Sequence, residues 1–94
     1  MFLDMREESR TVECPCCGYI CLKSGEYGEI CQICYWEYDE EVEFRGTNPS
    51  VLNHGLTLIE ARNNFDQFGA CEERLVQYCL PPEARKEYKH VSET

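Results

Sequence analysis

Cys14-Pro15-Cys16-Cys17-Gly18-Tyr19 and, after residues 18–30, Cys31-Gln32-Ile33-Cys34 are the stretches on which the reading of this chain turns. In a Cys-x-x-Cys turn both sulfurs face one point, and two such knuckles supply the four thiolates that close a tetrahedral metal site. The first knuckle holds three sulfurs, so its ligand pair has to be chosen. Gly18 chooses it: the residue after the second ligand commonly needs a backbone conformation that glycine adopts freely, while backbone N–H groups turn toward the sulfurs. That selects Cys14 and Cys17, with Cys31 and Cys34 from the second knuckle. Cys16 is left inside the turn as a buried thiol beside the ligands, a replacement ligand or a reactive exposed thiolate. Tyr35 stands where the second knuckle would prefer glycine, so that turn is expected to be strained or of another type.

Outward from the knuckles, Thr11-Val12-Glu13 and Tyr19-Ile20-Cys21-Leu22 have strand character, and Ser24-Gly25-Glu26-Tyr27-Gly28 is turn chemistry. Tyr35-Trp36-Glu37-Tyr38 suits a third strand that brings Trp36 or its neighbours over the metal. Asp39-Glu40-Glu41-Val42-Glu43 reads as a solvated acidic edge. Farther on, Thr57-Leu58-Ile59-Glu60 has the form of a capping box, and Leu58, Ala61, Phe65 and Phe68 recur at helical spacing until Gly69. Glu72 to Leu80 suits a short second helix stopped by Pro81-Pro82. The expected fold is α+β: a small β-hairpin module of the zinc-ribbon or rubredoxin-like kind, followed by one or two packed helices. One domain spans 1–94, with a metal-binding ribbon at 12–44, a loop at 45–56, a helical half at 57–80 and a charged tail at 83–94. A chain of 94 residues encloses a small core, so a metal staple is expected to carry much of its stability.

Four sulfurs suit one Zn2+ ion. Iron is bound by the same ligand set, but the second knuckle lacks the following glycine and a helical half follows that electron transfer does not need. A closed sphere leaves no coordination position for substrate, and His54 and His90 stand isolated without triad partners, so no catalytic residue is expected. The Cys-Pro-Cys-Cys run also lacks the βαβ setting of a thioredoxin-type dithiol. Cys21, Cys71 and Cys79 have no Cys-x-x-Cys partner and read as small core residues. The alternative, a second site built with His54, is not demanded by their spacing.

Eighteen acidic and nine basic residues give a net charge of −9, and four thiolates outweigh a divalent ion, so the loaded chain is more acidic still. That field repels nucleic acid and attracts cationic protein surfaces, and the basic residues are scattered. The N-terminus has neither a basic segment nor an apolar one, and no apolar run reaches transmembrane length, which points to the cytoplasm and away from membranes. The leading expectation is a non-catalytic interaction module for a basic protein partner, in concrete form an immunity protein neutralising a cognate toxin such as a nuclease. Its contact residues would be Asp39, Glu40, Glu41 and Glu43, with Trp36 or Tyr38 as aromatic anchors. The alternatives are rubredoxin-like electron transfer or thiol-redox chemistry, and a zinc ribbon that binds nucleic acid.

The two knuckles, together with Gly25-Glu26-Tyr27, Ile30, Trp36-Glu37, Leu56-Thr57-Leu58, Glu60-Ala61-Arg62, Asn64-Phe65 and Phe68-Gly69, resemble the bacterial cysteine-rich CPCC family over residues 12 to 82. The resemblance implies a small bacterial zinc-binding protein. Gln32-Ile33, where a proline-containing knuckle is commoner, and the more acidic run from Asp39 to Glu43 depart from the pattern without removing a ligand.

Overall fold

In the computed structural model, which describes residues 12–42 and 47–93, each knuckle is the turn of its own small hairpin. At the first, the Gly18 N–H donates to the Cys14 carbonyl at 2.9 Å and the Cys14 N–H donates to the Tyr19 carbonyl at 2.9 Å. The flanks continue as antiparallel strands β1 (Val12–Glu13) and β2 (Ile20–Leu22), with Val12 opposite Leu22 and Glu13 opposite Ile20. The second knuckle repeats this pattern. Tyr35 N–H donates to the Cys31 carbonyl at 2.7 Å and Cys31 N–H to the Trp36 carbonyl at 2.9 Å, and the flanks meet at the Ile30–Glu37 bridge.

The β-prone run at 19–22 therefore pairs backward across its own knuckle. The third strand expected at 35–38 is reduced to that one bridge, extended by the bond from Tyr38 N–H to the Glu29 carbonyl at 2.8 Å. Between the hairpins, the Glu29 carboxylate accepts from the backbone N–H groups of Lys23 at 2.7 Å, Gly25 at 2.9 Å and Ser24 at 3.2 Å. One side chain thus orders the turn that sets the two hairpins relative to each other.

The helix forms where its caps place it. In α1 (Leu58–Phe68), Glu60 N–H donates to Thr57 Oγ1 at 3.1 Å while the Glu60 carboxylate accepts from Thr57 N–H at 3.0 Å. Gly69 ends it in the left-handed conformation. Leu58 and Ala61 are buried, Phe65 is half-buried, and Phe68 lies at the rim with 37% of its surface exposed. The segment expected as a second helix is a 3-10 helix over Glu73–Tyr78, and another covers Pro82–Glu87 after the proline pair.

Three seams join the helical half to the knuckles. Arg62 Nε donates to the Pro15 carbonyl at 2.9 Å, Cys71 N–H to the Cys34 carbonyl at 2.8 Å, and Leu80 N–H to the Gln32 carbonyl at 3.0 Å. Arg85 closes the far side: its guanidinium donates to the Leu80 and Gly69 carbonyls, each at 3.0 Å, and lies over the Phe65 ring. The charged tail also returns. Ile20 N–H donates to the Lys89 carbonyl at 2.8 Å and Val91 N–H to the Gly18 carbonyl at 2.9 Å, which lays His90 beside Tyr19. One core results, with the knuckle cysteines at its centre among Leu22, Ile33, Trp36, Leu58, Ala61, Ala70 and Leu75.

Two residues expected on the partner surface are inside. Trp36 is 1% exposed because the turn that binds its carbonyl to Cys31 N–H draws it into the cysteine core. Asp39 is 5% exposed: its carboxylate accepts from Ser50 Oγ at 2.8 Å and from Glu41 N–H at 3.2 Å. Ser50 Oγ in turn accepts from Asn53 Nδ2 at 2.8 Å, and the Asn53 amide makes a paired contact with the Glu37 backbone, accepting from its N–H and donating to its carbonyl, each at 2.8 Å. The buried carboxylate is hydrogen-bonded, as burial requires. Asp39 is thus an anchor for the acidic turn, Glu40 and Glu41 are its exposed face, and Tyr38 is half-buried. Glu43 lies outside the described residues.

Candidate metal centre

The two knuckles face each other and bring the Sγ atoms of Cys14, Cys17, Cys31 and Cys34 within 4.8 Å of one another. Cys14 Sγ is 3.6 Å from Cys34 Sγ, and Cys17 Sγ is 3.7 Å from Cys31 Sγ. A zinc–sulfur bond near 2.3 Å in a tetrahedron makes each sulfur–sulfur edge about 3.8 Å, so both cross-knuckle pairs already have the spacing of metal ligands. The four are positioned to bind one metal ion tetrahedrally, and all are between 0 and 4% exposed. Among the described residues this is the one cluster with such spacing, so Cys21, Cys71, Cys79 and His54 do not assemble a second site.

Backbone geometry supports the charge that such a site must carry. Ile33 N–H points at Cys31 Sγ at 3.4 Å and Cys34 N–H at 3.5 Å, as a knuckle turn provides for its first sulfur. The required left-handed residue is Gly18 in the first knuckle, with φ of 81°, and Tyr35 in the second, with φ of 70°. The second turn is therefore of the same type as the first and is strained. Without a metal, burial first of all pushes the Cys14 and Cys34 thiols well above the ordinary range. Cys31 goes the other way, held well below it by hydrogen bonds from Cys14 first, then Cys17, Cys21 and Cys34.

Cys16 is buried within the first turn and is not among the four. Of its three expected roles, the exposed thiolate does not fit this burial. Cys71 is buried and Cys79 half-buried in the helical half, where desolvation raises both thiols and suits core packing. Ile33, inside the second knuckle, is fully buried.

Three supports were not legible in the sequence. His90 Nε2 lies 2.8 Å from the Cys17 carbonyl and donates to it, while its Nδ1 lies 2.8 Å from Ser92 Oγ and 3.1 Å from Ser92 N. Arg62 holds the Pro15 carbonyl from the helix. Cys21, on β2, places its Sγ 3.3 Å from Cys31 Sγ. The Cys-x-x-Cys spacing rule names none of them. Glu37, from the Trp-Glu pair quoted in the resemblance, is bonded to Asn53 through its backbone N–H and carbonyl.

No helix of the described residues is long and apolar enough to cross a membrane. No curated protein and no solved structure matches the chain. The family model of cysteine-rich CPCC proteins matches residues 12–86, which span both knuckles, α1 and the 3-10 helix over Glu73–Tyr78. With the Cys14-Pro15-Cys16-Cys17 turn and its facing partner in place, the chain belongs to the cysteine-rich CPCC family.

Proposed function

We propose that the protein is a non-catalytic, zinc-stabilised interaction module whose acidic surface meets a basic protein partner. The observation that carries this reading is the closure of the centre: four buried sulfurs from two rigid knuckles leave no open coordination position and no path for substrate. Zinc is favoured over iron because a fully buried four-thiolate site inside the main core serves as a staple, whereas electron transfer works best with an accessible knuckle. An ion here would contribute roughly 10–16 kcal/mol of apparent binding energy, much of it folding energy.

The partner surface follows from charge. Glu40 and Glu41 stand on an exposed turn that Asp39, Ser50 and Asn53 hold in place, in a chain with a net charge of −9. Such a patch accelerates encounter with a cationic cleft. The specific form we favour is an immunity protein that occupies the nucleic-acid cleft of a toxin.

Elemental analysis of the purified chain should give one zinc per chain and no iron; a red, iron-loaded protein would replace the scaffold reading with electron transfer. For the partner, co-expression with the product of the adjoining reading frame should yield a copurifying complex and rescue growth. Failure of both removes the immunity form. Glu40→Lys with Glu41→Lys should slow association at least about 10-fold at low salt, and an unchanged on-rate would clear these residues of a contact role.

A further inference from the structure

Cys21 lies on β2 outside both knuckles, is buried at 1% exposure, and sits closer to Cys31 than any ligand lies to its facing partner: 3.3 Å, against 3.6 and 3.7 Å. Two sulfurs bound to one tetrahedral zinc are held about 3.8 Å apart. A separation of 3.3 Å is too short for a shared-ion edge but suits an S–H group pointing at a thiolate. Cys21 is also outside the set whose sulfurs lie mutually within reach of one ion.

We propose that Cys21 is a positioning residue of the centre, whose thiol donates a hydrogen bond to the Cys31 thiolate and makes Cys31 the most heavily hydrogen-bonded ligand. This rests on the four-thiolate reading of the site. Cys31 Sγ then receives Ile33 N–H at 3.4 Å, Cys34 N–H at 3.5 Å and Cys21 S–H at 3.3 Å. The need is electrostatic. Four thiolates around a divalent ion leave excess negative charge in a buried core, where each donor aimed at a sulfur offsets part of it. A thiolate that shares its charge with three donors gives less electron density to the metal and is less reactive toward electrophiles. The strand also acquires a role: pairing of β2 with β1 on one side and with Lys89 on the other sets the position of Cys21.

The test compares Cys21→Ala and Cys21→Ser with the native chain, each loaded with Co2+ as a spectroscopic probe and titrated with Zn2+ against a competing chelator. All three should bind one ion with tetrahedral cobalt bands, since no ligand is removed. In Cys21→Ala the sulfur-to-cobalt charge-transfer band should move to lower energy and zinc affinity should fall about 10-fold, the lower end of the usual effect of losing a partner that orients a ligand. Cys21→Ser, which keeps a donor, should restore most of both. Packing alone does not move the charge-transfer energy, so equal bands in all three overturn the proposal even if affinity falls. Loss of the cobalt site in both variants would make Cys21 a ligand and overturn it too. If Cys21→Ala does not fold, Cys21→Ser decides: a band displaced to lower energy refutes the donor role, and a native band with near-native affinity supports it. If the native chain binds no cobalt, the four-thiolate reading itself falls, an outcome distinct from the rest.

Discussion

Gly18 and Tyr35 occupy equivalent positions in two copies of one turn, both left-handed, with φ of 81° and 70°. An L-residue costs about 1–2 kcal/mol there, so the second knuckle carries strain that the first avoids. Tyr35 is offset by its ring, which lies 5.5 Å from that of Tyr78, a contact of about 0.5–1.5 kcal/mol beyond area burial. At both positions glycine should therefore be preferred to alanine. Tyr35→Ala keeps the strain and loses the ring, and should cost about 1–2 kcal/mol in urea unfolding of the metal-loaded protein. Tyr35→Gly loses the ring but relieves the strain, and should be more stable than the alanine variant by about 1 kcal/mol. At Gly18 an added Cβ would stand 2.8 Å from His90 Nε2 besides adopting the strained φ. Gly18→Ala should thus cost more than about 2 kcal/mol and expel the tail, seen as lost protection of Val91 N–H in hydrogen exchange. Equal stabilities for Ala and Gly at 35 would mean that the left-handed turn is not strained.

Elements differ in how far their residues announce them. The helix is written out in the chain, because a capping box and a terminating glycine are local chemistry: Thr57→Ala should cost about 1 kcal/mol, read as a lower midpoint for the loaded protein. The knuckles are legible for the same reason, since spacing alone brings each pair of sulfurs together. Pairing between distant segments is not local. Nothing in Lys89-His90-Val91 distinguishes a free tail from one that lies along Gly18 to Ile20, because those bonds run through backbone atoms that every residue has. The acidic run misled in another way. Asp39 reads as one more surface charge, and only the arrival of Ser50 from across residues 43–49 turns it into a buried anchor. The cost of the tail contact can be measured. His90→Ala removes the bond to the Cys17 carbonyl and the edge-on contact with Tyr19, whose ring centroid is 4.7 Å away. A loss of about 1–2 kcal/mol is expected, with faster exchange at Ile20 N–H and no change in metal stoichiometry. A drop in stoichiometry would instead assign His90 to the centre itself.

At the scale of the whole molecule the core and the candidate metal site are one object: Trp36, Leu22, Leu58 and Ala61 share a core with the same sulfurs that are positioned to bind an ion. Trp36 Nε1 is buried without a hydrogen-bond partner among the described residues, a further cost that this centre must outweigh. Removing the ion should therefore unfold both halves together and not the ribbon alone. Chelation is expected to abolish the near-ultraviolet signal of Trp36 and helical circular dichroism in one transition; retention of the α1 signal would show a helical half that stands by itself. Acidity should act through the same centre, with a sign set by the thiols. Burial lifts Cys14 and Cys34 well above the ordinary range, so each holds a proton at neutral pH when no ion is bound and must give it up on loading. Cys17 is raised as well, and since each proton released makes zinc affinity fall about 10-fold per unit decrease in pH, three such thiols give a fall of about 1,000-fold. Stability contributed by the ion is therefore present at neutral and higher pH and is lost as pH falls. Chelator competition at pH 7 and pH 6, with the chelator's own protonation accounted for, measures the slope, and an affinity independent of pH would be incompatible with thiol ligands at this site.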